Sequence, residues 1–162
     1  MMAKPETGSL VVRFIARRST PFIMLFALYV VAHGEDGPGG GFQGGVIFAA
    51  AFILVALAEG WGEGRSRMPE PVSDVLMPMG ALLYAGIGFA ALLLGGAFLE
   101  YGALAVGGDA HAQHFAHHLG LIGIEIGVTV TVAGSMVTLF FEMARPKHFL
   151  DVSRRKRADR DA

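Results

Sequence analysis

The chain has 162 residues, of which 53% are hydrophobic and 17% charged, and its net charge is −1. The charged share lies below the roughly 25% of an average soluble domain, and a mean hydropathy of +0.52 points the same way. The absence of cysteine excludes disulfides and thiolate metal sites, and no nucleic-acid partner is expected.

The N-terminal arm carries Leu10, Val11, Phe14 and Ile15 on one side of a helical wheel and Arg13, Arg17 and Arg18 on the other. It is either an amphipathic turn or two at the membrane interface or the positive flank of the first helix. Four apolar stretches then predict an all-α integral membrane fold with four transmembrane helices, at about residues 20–33, 42–59, 75–99 and 119–142. The third and fourth reach the ~20 residues that a bilayer core requires; the second is marginal. The first is too short unless it borrows from residues 10–16. Pro21 suits a first helical turn. Trp61 reads as an interfacial anchor, residues 60–71 as a loop, and Ser73 and Asp74 as caps for the third helix. Residues 100–118 end in a histidine-rich run that reads as a short interfacial helix. Residues 1–145 thus form the membrane domain, and residues 146–162 a basic tail.

All thirteen Lys and Arg fall in the N-terminal arm, in the connection between the second and third helices, or beyond the fourth. Four spans put these three regions on one face. The positive-inside rule makes that face cytoplasmic, with both termini on it. The start lacks the pattern of a removable signal peptide.

Six of residues 37–45, between the first two helices, are glycine, and the others are Pro38, Phe42 and Gln43. Gly39, Gly41 and Gly44 match a dinucleotide fingerprint, but no strand precedes them and no βαβ unit surrounds them. The short first helix favours a re-entrant or protein-buried loop, because irregular backbone survives at membrane depth only inside protein or against water. An external turn is the alternative.

Glu125 stands within the fourth apolar stretch. A carboxylate at the centre of a membrane helix costs roughly 2.5–3.5 kcal/mol, so such residues face protein or a wet path. His118 lies two turns before it and Thr129 one turn after it, so the three can line one polar track. Glu125 is then an ion-path residue or a hydrogen-bonded link between helices, and Thr129 lines a path or back-bonds to its own helix. His111, His114, His117 and His118 form either a solvated cluster or, less simply, a metal site. His33 caps the first helix or titrates in a path.

The run His33-Gly-Glu-Asp-Gly-Pro-Gly-Gly-Gly-Phe-Gln-Gly-Gly-Val46 is similar to the signature of the B subunit of Mrp-type multisubunit monovalent cation/proton antiporters, the MnhB family. His117-His-Leu-Gly120, Gly123-Ile-Glu-Ile-Gly127 and Thr131-Val-Ala-Gly134 agree with it. The resemblance implies a four-helix subunit of a bacterial membrane hetero-oligomer that exchanges Na+ for H+. It implies other antiporter subunits and the bilayer as partners, no enzymatic reaction, and no cofactor beyond the transported ions. The positions it marks are His33, Pro38, Gly39, Gly40, Gly41, Phe42, Gln43, Gly44, Gly45 and Glu125. The alternative is a purely structural subunit of a related complex, such as a membrane-bound hydrogenase.

Overall fold

The structure, a computed structural model, describes residues 9–34, 37–105 and 109–145. The basic tail at 146–162, Glu35 and Asp36 lie outside them. The described residues are helical, with no strand: α1 Leu10–Ala32, α2 Gly41–Glu59, α3 Trp61–Arg67, α4 Glu70–Leu93 and α5 Ala110–Met143, with a 3-10 turn at Tyr101–Leu104. Helices α1, α2, α4 and α5 are long and apolar enough to cross a membrane. The chain is a multi-pass membrane protein.

The boundaries differ from expectation where local chemistry overrides the apolar pattern. Helix α1 starts ten residues earlier, because Ser9 Oγ accepts the Val12 N–H at 3.4 Å and caps it. Pro21 is therefore interior rather than in a first turn. At 23 residues α1 is about 35 Å long and crosses a ~30 Å core. A short first helix thus no longer argues for a re-entrant loop.

The expected loop at 60–71 contains α3, with Glu63 in its first turn and Arg65 and Arg67 in its last, as the helix dipole favours. Gly60, at φ 101°, makes the break between α2 and α3. Pro69 and Pro71 set the start of α4, so Ser73 and Asp74 lie inside that helix and do not cap it. Helix α4 stops at Leu93, not near 99. Gly95 takes φ 89°; its N–H donates to Leu92 O and the Gly96 N–H to Ala91 O, each at 3.1 Å. That pair of bonds is a Schellman stop. The histidine run is no separate helix: Asp109 accepts the Ala112 N–H at 2.9 Å and starts α5 at Ala110. At 34 residues α5 is about 51 Å long and overshoots the bilayer core.

The long helices pack in the order α1, α2, α5, α4, with α2 against α1 and α5, and α4 against α5. Small residues make both inner seams. A Cβ on Gly45 would lie 2.8 Å from Thr129 O, and one on Gly80 would crowd Gly127 O at 2.5 Å. Backbones this close gain van der Waals contact where lipid gives no hydrophobic drive. At one end Ala49, Ala56, Met68, Val137 and Phe141 form a buried cluster, with Trp61 packed against it. Trp61 Nε1 donates to Phe141 O at 3.2 Å, so this anchor holds α3 on α5.

The same end collects charge. Glu59 accepts from Arg17 Nε at 2.6 Å and from Arg67 Nη2 at 3.2 Å, tying α1, α2 and α3. Arg145 pairs with Glu142 and, at 3.1 Å, with Glu70 across the α4–α5 seam. Burial disfavours the Arg145 cation, but these two carboxylates outweigh it and raise its pKa above the ordinary guanidinium value.

Candidate functional site

The site lies where α1 ends, α2 begins and α5 passes both. Helix α1 closes with the His33 N–H on Tyr29 O at 3.1 Å. The chain turns back, and the Gly40 N–H donates to Val30 O at 3.1 Å. Gly40 holds φ 108° and is the N-cap of α2, with no side-chain cap. Only glycine adopts that backbone readily.

Glu125 of α5 fills the space so left. A Cβ on Gly34 would overlap the Glu125 carboxyl, and a Cβ on Gly40 would lie 3.4 Å from its Oε1. A Cβ on Gly41 would overlap the Glu125 carbonyl and meet Val128 at 3.0 Å. The carboxyl group therefore sits against the start of α2, where peptide N–H groups lack helical partners. Such an end attracts negative charge.

The glycine motif has two faces. Gly41, Gly44 and Gly45 are buried in the first turns of α2, within the helix rather than in a loop. Gly44 faces Val31 and Ala27 of α1, and Gly45 faces Thr129 and Val132 of α5. Gly39 abuts Val30 O, with room for no Cβ beyond 2.7 Å. Phe42, at 62% exposure, and Gln43 point outward, and Pro38 is exposed.

The other predicted residues lie around this centre. The Thr129 hydroxyl donates to the Glu125 backbone carbonyl at 2.7 Å, as a helix back-bond. Thr131 and Ser135 do the same to Gly127 and Thr131, at 2.9 and 2.7 Å. His118 is exposed on α5, two turns from Glu125 along one continuous helix. His33 is exposed, with its ring centroid 4.1 Å from that of Tyr29. His117 meets the Tyr101 ring edge-on at 5.5 Å. Burial, with a smaller contribution from Tyr84, pushes the Tyr101 phenol up. Among the described residues no three His, Asp or Glu converge as metal ligands.

Gly34 and Val128 also belong to the site, and residue-by-residue reading passes over both. Gly34 stands just before the glycine-rich run, and its only signal is a place in the His33–Val46 stretch that resembles the family signature. Val128 is one more aliphatic residue in an apolar helix.

A family model described as "Domain related to MnhB subunit of Na+/H+ antiporter" matches residues 11–138. A Staphylococcus haemolyticus protein named as antiporter subunit mnhB2 is 29% identical over 146 residues, covering 88% of this chain and 99% of the relative. A Staphylococcus aureus protein of the same name (strain Newman) is 33% identical over 136 residues, covering 81% of this chain and 96% of the relative.

Proposed function

This chain belongs to the MnhB family of Na+/H+ antiporter subunits, and on that premise we propose that it works within a multisubunit antiporter that exchanges Na+ for H+. Its partners are the other subunits and the bilayer. It lies in the bacterial cytoplasmic membrane with both termini cytoplasmic. The gathering of Arg13, Arg17, Arg18, Arg65, Arg67 and Arg145 at one end of the helices supports that orientation. The cargo is Na+ and H+; the chain carries out no covalent reaction and needs no bound cofactor.

Within the complex, Glu125 handles the transported ion or proton, with His118, His33 and Thr129 as the candidate path around it. The observation that carries this reading is the Glu125 carboxyl seated against Gly34 and Gly40, inside a membrane-length helix. A carboxylate at that depth is costly unless it serves a link or a path. Glu125→Gln, built into the whole complex, tests it. Exchange in inverted vesicles is expected to vanish while the complex stays intact on native gels. Normal exchange in that variant would sink the assignment.

A second reading has its own observation. Gly41 and Gly45 leave no room for a Cβ against α5, so the motif works equally as a helix-docking device. Gly41→Leu is then expected to lose the complex itself. An intact complex with only transport impaired would count against docking as the sole role.

A further inference from the structure

Arg65 is the most buried cation at its end of the molecule. Arg17, Arg67 and Arg145 each pair with a carboxylate. Arg65 buries deepest, at 9% exposure, and has none among the described residues. Its Nη1 donates to Ser73 Oγ at 3.1 Å and to Met68 O at 3.5 Å. Its Cζ lies 4.7 Å from the centre of the Phe141 ring. Nε and Nη2 are buried and meet no acceptor among the described residues. Such N–H groups are expensive to leave unmade, most of all on a charged group.

Directly above runs an apolar groove of about 210 Å³, open on one side. Its walls include Phe52, Leu76, Ala133 and Val137, and its floor is Met68. Val137 is one turn above Phe141 on α5, and Leu76 one turn above Ser73 on α4. The groove thus ends about one helical turn, ~5 Å, from the guanidinium. Met68 joins the two, since its side chain lines the groove and its carbonyl accepts from Arg65.

We propose that the groove and Arg65 together bind one anionic phospholipid, its acyl chain lying along Phe52, Leu76 and Val137 and its phosphate on Arg65. A single molecule then meets both needs, an apolar filler and an anion one turn away. Phosphate accepts from Nε and Nη2 as a planar fork, the geometry for which arginine is suited. The unbranched Met68 side chain yields as the headgroup seats.

Trp61 is the only tryptophan and lies edge-on to Phe141, with ring centroids 6.1 Å apart, so its fluorescence reports on this end of the groove. The full chain is reconstituted in phosphatidylcholine vesicles, and brominated phosphatidylglycerol or brominated phosphatidylcholine is titrated in. Phosphatidylglycerol is expected to quench at about tenfold lower mole fraction, as one charge-assisted contact implies. Arg65→Gln removes that preference and Arg65→Lys keeps part of it. Ala133→Phe, which fills the groove and leaves Arg65 in place, abolishes it. Equal quenching by both lipids, or a preference that survives Arg65→Gln, overturns the proposal. So does relief of quenching by millimolar inorganic phosphate, which would mark an anion site with no use for the chain. A requirement for Arg65 seen only in assembly of the complex would assign the guanidinium to a neighbour's carboxylate instead.

Discussion

Gly45→Ala probes the α2–α5 seam with a single added methyl group. Its Cβ would stand 2.8 Å from Thr129 O and 2.9 Å from Val132 Cβ. The first separation is about 0.6 Å short of ordinary van der Waals contact. Neither neighbour yields cheaply, because one is a helix carbonyl and the other the stem of a β-branched residue. Overpacking of this kind costs about 1–3 kcal/mol. Alanine recovers about 0.5–1 kcal/mol over glycine in a helix. The net loss is then up to about 2.5 kcal/mol, or up to roughly 10 °C in Tm for a chain of this size. The control is Gly86→Ala on α4, where a Cβ would meet nothing within 4 Å. It keeps the helical gain without the clash, so its Tm is expected to rise slightly. Melting both variants of the full chain in one detergent, followed by circular dichroism, gives the comparison. A Gly45→Ala melting point at or above that of Gly86→Ala would refute the close seam.

Glu59→Gln leaves Arg17 without its carboxylate and Arg67 with only Glu63, at 3.8 Å, so the melting point falls, and the deficit shrinks in high salt as screening weakens the native pairs. Trp61→Phe removes the donor to Phe141 O and is expected to cost about 0.5–1.5 kcal/mol by the same melt. Asp109→Ala uncaps α5 at a cost of about 1 kcal/mol, and hydrogen exchange should quicken first at residues 110–114.

Four apolar stretches made the membrane fold legible, because lipid demands length and hydropathy and both are local properties. The ends of the helices were less so. Arg13, Arg17 and Arg18 interrupt the first apolar run and hid the lower half of α1. Yet a long side chain can reach the interface from a helix, and Arg17 finds Glu59 42 residues away. That pairing has no signal in either stretch. The stop at Leu93 was readable in principle from Gly95 and Gly96, but six hydrophobic residues from 92 to 99 outweighed them. The start of α5 was marked by Asp109, three residues before the N–H that it caps.

The site divides in the same way. Glu125 stood out because a carboxylate in an apolar helix is costly wherever it points. What it touches was invisible, since Gly34 and Gly40 reach it only after the chain has turned back on itself. The glycines announced close approach without naming the partner. Arg65 showed the opposite limit. In sequence it counted merely as a mark of orientation, and only burial sets it apart from Arg67, two residues on.

The order α1, α2, α5, α4 has a consequence for traffic across the membrane. Four helices side by side make a panel with two broad faces, not a tube with a bore. A panel cannot enclose a column of water by itself. On the proposed role of Glu125, an ion passing it would run along a joint whose opposite wall another protein supplies, like liquid held between the staves of a cask.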